Sequence, residues 1–158
     1  MSKILVAVFS ASGVTRRVGK EIARISGGEY FEIVPKEIYT DDDLNWTNKK
    51  SRSSVEMNDP DARPEITGMV SDMAAFDTVI IGYPIWWGVA PRIIDTFLES
   101  YDFSGKTIVP FCTSGGSGLG TSGEKLKKNV STDVRWGKGM QINHPNEKDI
   151  NKLLEQIG

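Results

Sequence analysis

The chain has 158 residues, 39% of them hydrophobic and 25% charged, with 19 Lys and Arg against 21 Asp and Glu for a net charge of −2; this fits one globular domain over residues 1–158 and lacks the basic surplus of a nucleic-acid binder. One cysteine, Cys112, and one histidine, His144, exclude an internal disulfide and a cysteine or histidine metal cluster, so no metal is expected. No apolar run approaches the roughly 18 residues of a membrane span, and no small-residue cleavage site follows the first apolar run, so a cytoplasmic protein is expected, with no nucleic-acid or membrane partner.

Lys3 to Phe9 is a continuous β-rich apolar run, the pattern of a strand buried on both faces. Val14, Val18, Ile22 and Ile25 recur at helical spacing and predict a helix over about 14–26, ended by Gly27-Gly28. Tyr30 to Val34 reads as a second strand stopped by Pro35. Residues 35–66 are polar; Asp41, Asp42 and Asp43 are placed to open a helix over roughly 42–56, because a structureless loop of that length is unusual in a compact domain. A short helix is expected over 67–74, and Thr78 to Tyr83 forms a third strand. Pro91 suits the first turn of a helix whose apolar face is Ile94, Phe97, Leu98 and Tyr101. Thr107 to Cys112 is a fourth strand, and Pro110 inside it predicts a bulge or irregular pairing, since proline cannot donate to the ladder. A helix over about 121–129, a fifth strand near 132–136 and a last helix with Ile150, Leu153, Leu154 and Ile157 on one face complete the chain. Five such βα units predict an α/β fold: a doubly wound five-stranded parallel sheet between helices, in three layers.

Ligands of such sheets bind beyond the carboxyl ends of the strands, and three loops there are chemically unusual. Ser10-Ala11-Ser12-Gly13-Val14-Thr15 joins the first strand to the first helix. Its small residues let backbone N–H groups turn inward, its hydroxyls add donors, and the helix N-terminus adds unpaired N–H groups, which together make a phosphate cradle. The plain alternative is that Ser12 only caps the helix. The second loop, Tyr83-Pro84-Ile85-Trp86-Trp87-Gly88-Val89-Ala90-Pro91, sets two adjacent indoles between prolines. They either offer a flat face to a planar ring or plug a gap in the packing. The third, Thr113-Ser114-Gly115-Gly116-Ser117-Gly118-Leu119-Gly120, has four glycines in eight residues and either presents N–H groups to a ring edge or is a plain connector. One ligand satisfies all three loops: a phosphate, a large planar ring and a ring edge rich in acceptors. Flavin mononucleotide (FMN) has these parts.

The same residues carry a family resemblance. Ser10 to Thr15 resembles the flavodoxin loop T-x-T-G-x-T with serine in two threonine positions, and Trp87-Gly88 falls where flavodoxins often have Trp-Gly. The run GYPIWWG over 82–88, followed by APR and LESYDFSGKTIVPFCTSGGSG, is similar to short bacterial flavodoxin-like proteins, so that the resemblance spans nearly the whole chain. It implies a flavodoxin-like sheet ordered 2-1-3-4-5 and FMN as cofactor. It implies that Ser10, Ser12, Gly13, Val14 and Thr15 bind the phosphate and that Pro84, Ile85, Trp86, Trp87 and Gly88 line the isoalloxazine ring. Thr113, Ser114, Gly115, Gly116 and Gly118 would hold the pyrimidine edge. It also implies a bond between the backbone near Gly88 and flavin N5 in the reduced state; no side chain is expected to be catalytic.

Two departures from the family stand out. The third loop lacks the aromatic residue that covers a flavin face in many flavodoxins, and no Asp or Glu occurs from Pro84 to Ile94 or from Thr113 to Gly123. Carboxylates near the ring would disfavour its anionic reduced form, so a higher reduction potential and a partly open flavin face are expected. Rival motifs fail. Five residues, not four, separate Gly13 from Gly19, and Glu21 stands where a P-loop has Ser or Thr. Gly118 to Gly123 matches G-x-G-x-x-G but has no acidic residue about 20 positions on, and Gly118 stands where a thiol phosphatase would place arginine after Cys112. His144 beside Pro145 reads as a surface or turn residue and Cys112 as a buried thiol. Three functions follow: electron transfer through FMN to a redox partner protein, an FMN-dependent NAD(P)H or quinone oxidoreductase with a small substrate on the open face, or a flavin-free interaction module. Monomer and homodimer both remain open. Trp46 and the charges of residues 35–66 mark a lid or a partner surface.

Overall fold

The computed structural model describes residues 3–114 and 118–157. In chain order the elements are β1 (Ile4–Val8), α1 (Val14–Ser26), β2 (Glu29–Glu32), β3 (Val34–Pro35), α2 (Arg52–Asn58), β4 (Ile66–Thr67), β5 (Thr78–Pro84), α3 (Arg92–Glu99), β6 (Thr107–Thr113), α4 (Ser122–Leu126), β7 (Arg135–Trp136), β8 (Met140–Gln141) and α5 (Glu147–Leu154). The main sheet runs β2-β1-β5-β6, with β7 and β8 in succession along the outer edge of β6. All its pairings are parallel. Counted as the five predicted strands, the order is 2-1-3-4-5. The chain leaves β1 toward β2 on one side and returns to β5 on the other, so the strand order reverses at the β1/β5 boundary.

Side-chain alternation along the buried strands divides the core into two layers. Leu5, Ala7 and Phe9 of the first strand and its exit, with Val79, Ile81 and Tyr83 of β5, pack against Ile93, Ile94, Phe97 and Leu98 of the α3 side. Val6, Val8, Ile80, Val109 and Phe111 point the other way, onto Val18 and Ile22 of α1 and Ile150 and Leu153 of α5. Burying each such side chain contributes roughly 1.5–3 kcal/mol, which is why these strands read as uninterrupted apolar runs. No helix among the described residues is long and apolar enough to cross a membrane.

Pro110 sits where the sheet is irregular, and the irregularity lies on one side only. Toward β5 the register is continuous through Ile80↔Val109, Ile81↔Pro110 and Gly82↔Phe111. On the other side the carbonyls of Lys106, Ile108 and Cys112 accept bonds from Arg135, Gly137 and Ile142. Pro110 is in phase with these residues, so its missing N–H faces the outer edge. There the partner strand breaks into β7 and β8, and Gly139 comes so close that a methyl on it would lie 2.4 Å from the Pro110 carbonyl oxygen. The predicted strand near 132–136 is thus shorter, with a second piece at Met140–Gln141.

The segment between β3 and β4 departs most from expectation. The helix expected over 42–56 forms only from Arg52, capped by Ser51, whose hydroxyl accepts from the Ser54 N–H. Thr40 and Asp43 do start a turn, each backbone N–H donating to the other's side-chain oxygen. Asn45 and Asn48 then bond the N–H groups of Thr47 and Lys50, offering the backbone an alternative to the helix. The helix expected over 67–74 is replaced by β4, which pairs antiparallel with β3 at the neck of the segment, and by a 3-10 turn at Met73–Ala75.

Asp95 on α3 is 3% exposed and accepts a bond from the Asn129 amide at 2.5 Å. Burial holds its carboxyl above the ordinary range, more than the Asn129 bond and the nearby Arg63, Arg92 and Lys128 lower it. Because the folded value is raised, the ionised group opposes folding at neutral pH, and that cost disappears below the unfolded value of about 3.9. Asp95→Asn keeps an acceptor for Asn129. It should be more stable than wild type in urea melts at pH 7, with the difference vanishing as the pH falls to about 4; a constant difference across that range would contradict the assignment.

Candidate functional site

The three unusual loops leave the carboxyl ends of β1, β5 and β6, three adjacent strands of the sheet. Direct bonds tie them together. The Ile85 N–H donates to the Thr113 carbonyl at 3.0 Å, and the buried hydroxyls of Thr15 and Thr113 lie 2.8 Å apart. A methyl on Gly120 would stand 3.7 Å from the Gly88 carbonyl oxygen, so the tip of the second loop faces the third.

In the first loop, Ser12 does not cap α1. The cap is Gly13, at φ 96°, which has no side chain to cap the helix, and no acid stands in the first turn. Ser10 turns inward, its hydroxyl accepting from the Gly13 N–H at 3.0 Å; Ser12 and Val14 are exposed. The helix end therefore presents N–H groups and the positive end of its dipole without an internal anion to satisfy them. Arg16 in that turn is held by Glu32 of β2 through two bonds, at 2.6 and 3.1 Å. The Arg16 bond in turn holds the Glu32 carboxyl below its usual range.

The second loop is a tight hairpin. Trp86 and Val89 exchange backbone bonds of 2.9 and 3.1 Å, with Trp87 at φ 50° and Gly88 at φ 78° between them. Positive φ at both central residues is the pattern of a type I′ turn, normally made by Asn, Asp or Gly. The two indoles part company here. Trp86 packs edge-on against Phe9 and Tyr39, with ring centroids 5.8 and 5.5 Å away, and so anchors the hairpin to the core. Trp87 stands at the tip, 52% exposed.

Between the first two loops lies a cavity of about 340 Å³ lined by Ala11, Ser12, Pro84, Ile85, Trp86 and Trp87, with a third wall of Leu44, Trp46 and Ser53. None of these nine side chains ionises near neutral pH. The third wall went unassigned in the sequence, where only Trp46 stood out. It is held from behind. Arg52 stacks on the Tyr39 ring at 3.9 Å and bonds Glu56 at 2.9 Å, and the Tyr39 hydroxyl bonds Glu56 as well. Burial, and then Glu56, push the Tyr39 phenol well above its ordinary range. Arg92 ties the carbonyls of Glu56 and Met57 to α3. The Ser53 hydroxyl is buried without a hydrogen-bond partner.

At the third loop, Thr113 is buried. Asn143 clasps Ser114 on both sides, accepting from its N–H at 2.8 Å and donating to its carbonyl at 2.9 Å. Gly118 adopts φ 70° near Gln141, whose buried amide oxygen has no partner. Neither Asn143 nor Gln141 carried a sequence signal. Gly115 and Gly116 lie outside the described residues. Cys112 is buried within β6, and burial pushes its thiol up to about 12; His144 is exposed. Among the described residues no group of three or more His, Cys, Asp or Glu is placed to hold a metal ion.

A parallel sheet of this order, with a helix start and an indole-tipped hairpin side by side at its reversal point, defines a doubly wound α/β protein of flavodoxin-like topology. The flavodoxin family profile matches residues 3–157, and the chain belongs to the flavodoxin family. It is similar to the crystal structure of a flavoprotein candidate from Bacteroides eggerthii DSM 20697, with 50% identity over 99% of this chain and 98% of that one and a TM-score of 0.94. A second flavoprotein candidate, from Bacteroides uniformis ATCC 8492, has 44% identity over 98% of each chain and a TM-score of 0.91. A Lactobacillus acidophilus NCFM flavoprotein, crystallised in complex with FMN, shares the fold at 22% identity over 98% of this chain and 99% of that one, with a TM-score of 0.66. No curated protein matches the chain.

Proposed function

We propose that the chain binds FMN across its first three sheet loops and acts in electron transfer through the flavin ring. The observation that carries this reading is the single cavity joining the phosphate-type loop, at Ala11 and Ser12, to the indole hairpin, at Pro84 to Trp87. The residues present fit FMN. The N-terminus of α1 lacks an internal anion, the cavity walls are largely apolar, and Gln141 leaves a buried acceptor beside the third loop. The Lactobacillus relative with FMN bound shares this fold.

In this reading Ser10, Ser12, Gly13, Val14 and Thr15 hold the phosphate with backbone N–H groups and hydroxyls. Pro84, Ile85, Trp86, Trp87 and Gly88 line the ring and keep water from one side of it. Thr113, Ser114 and Gly118 flank the ring edge, with Ser114 held in place by Asn143. Bound FMN supplies hydride and one-electron chemistry, while the protein binds, orients and tunes it. The uncharged cavity lining leaves the chain without an acid or base there to add, which favours a carrier over a catalyst of proton transfer. It also places no carboxylate against the ring. The potential for full reduction of bound FMN should therefore lie at or above that of free FMN in a spectroelectrochemical titration; a value far below free FMN would contradict it.

A second reading, an FMN-dependent NAD(P)H or quinone oxidoreductase, is favoured by another observation. Trp87 also borders a recess of about 460 Å³ that holds Arg92, Lys125 and Lys128 together with Asp95 and Glu124, large enough for a small substrate. Stopped-flow reduction of the FMN-loaded protein by NADPH, with and without a quinone, separates the two. The carrier reading expects slow reduction that quinone does not accelerate, and rapid turnover would replace it with the reductase. A purified protein that stays colourless and gains no thermal stability on adding FMN would remove both and leave an interaction module.

A further inference from the structure

We propose that the segment between β3 and β4 supplies a second flavin-contacting wall, in which Trp46 stacks on the ring system and the Ser53 hydroxyl bonds a polar atom of the flavin. The proposal rests on the FMN reading above and extends it to residues that neither the loop motifs nor the family resemblance singles out.

Two observations carry it. The first is Ser53. It is 2% exposed, its hydroxyl has no partner, and it lines the same cavity as Ser12 and Trp87. Its own N–H is satisfied by the Asp43 carbonyl at 3.0 Å, and its neighbours Ser51 and Ser54 bond each other at 3.0 Å. The hydroxyl alone is left over. A buried hydroxyl without a partner is costly and is found where a ligand atom or water completes it. The second is Trp46. It is 71% exposed, yet it borders this cavity together with Leu44 and Trp87. A large apolar ring left open at the mouth of an apolar cavity gains most when a second ring covers it. The β3–β4 pairing and the Arg52–Glu56–Tyr39 cluster fix the base of the segment, so the wall is supported independently of the ligand. The aromatic cover missing from the third loop is thereby supplied by the β3–β4 segment.

The test is titration of flavin-free full-length protein with FMN, paired with melting of the same flavin-free samples. Ser53→Ala should melt at or above the wild-type temperature, because it removes an unsatisfied buried group, while its Kd for FMN rises about tenfold. A residue that served only the fold would not lose affinity and keep stability together. Trp46→Ala should weaken FMN binding by about tenfold, and Trp46→Phe should restore most of it. The visible circular dichroism of bound flavin should change in Trp46→Ala and return toward wild type in Trp46→Phe. Wild-type affinity in Ser53→Ala overturns the role of Ser53, and wild-type affinity in Trp46→Ala overturns that of Trp46. Either result leaves FMN binding by the loops intact. Failure of the wild-type protein to bind FMN overturns both the wall and the reading on which it rests.

Discussion

Gly82→Ala is expected to cost the fold about 3 kcal/mol or more, lowering the melting temperature by about 6–12 °C for a chain of this size. Gly82 lies in the middle of β5, paired with Val8 on one side and Phe111 on the other. Residues directly opposite in a sheet share a face, and the Phe111 ring lies over the place where a side chain at 82 would be. An alanine Cβ there falls 2.2 Å from the Cζ and 2.3 Å from the Cε1 of Phe111. The ring is fully buried in the layer that also holds Val8, Ile80, Val109 and Ile142. It can retreat only by displacing those side chains or the backbone of two strands. The site should feel the shift too, because the Gly82 carbonyl accepts the Phe9 N–H at 3.0 Å, one residue before the phosphate-type loop. The check is thermal and urea melting of Gly82→Ala alone and with Phe111→Leu. If the ring is the cause, the smaller side chain at 111 should recover part of the loss, giving a favourable coupling between the two changes. A single variant melting within 2 °C of wild type (about 1 kcal/mol or less) would show that the ring moves freely.

The parts of the fold that were readable in the sequence are those fixed by burial on a regular period. Lys3 to Phe9 is apolar throughout because both its faces are covered, and α1 was delimited by its spacing of Val18 and Ile22 and by Gly27. Pro110 marks an irregularity in the sequence, and the break between β7 and β8 lies where its missing N–H points. The segment 40–51 was not readable, because its local side-chain bonds to the backbone compete with the helix its acids suggest, and no periodic apolar face decides between them. For the site, the loops were readable from their small residues and hydroxyls, but the roles within them were not. Trp86 and Trp87 are adjacent in sequence, yet a two-residue turn sends one ring onto Phe9 and Tyr39 and leaves the other at the tip. Ser53 and Asn143 reach the site only through tertiary placement, for which a single sequence carries no local signal; Trp46 stands out in the sequence, but its place in the cavity wall does not.

Trp87→Gly should act in opposite directions on the free and the FMN-bound protein. Trp87 occupies a left-handed backbone conformation at φ 50°, which costs a residue other than glycine about 1 kcal/mol or more. Its indole is half exposed at the tip of the hairpin, so little packing in the flavin-free fold offsets that cost. Glycine at the first central position of a type I′ turn relieves the strain, and the flavin-free variant should be as stable as wild type or more stable by about 1 kcal/mol. The loss appears with the ligand. An indole stacked on a planar ring contributes roughly 1–3 kcal/mol, and Trp87 also closes one side of the cavity. The Kd for FMN should therefore rise by roughly 30- to 150-fold, equivalent to about 2–3 kcal/mol. Trp87→Ala separates the two contributions, since it removes the ring but keeps a Cβ at positive φ: it should bind FMN as weakly as Trp87→Gly while lacking its gain in stability. Fluorescence titration with FMN and melting of the flavin-free proteins measure both quantities. If Trp87→Gly bound FMN as tightly as wild type, the strained tryptophan would have to be explained by something other than the flavin ring. The recess that Trp87 also borders, where Arg92, Lys125 and Lys128 stand with Asp95 and Glu124, would then be the place to look for the partner of the indole.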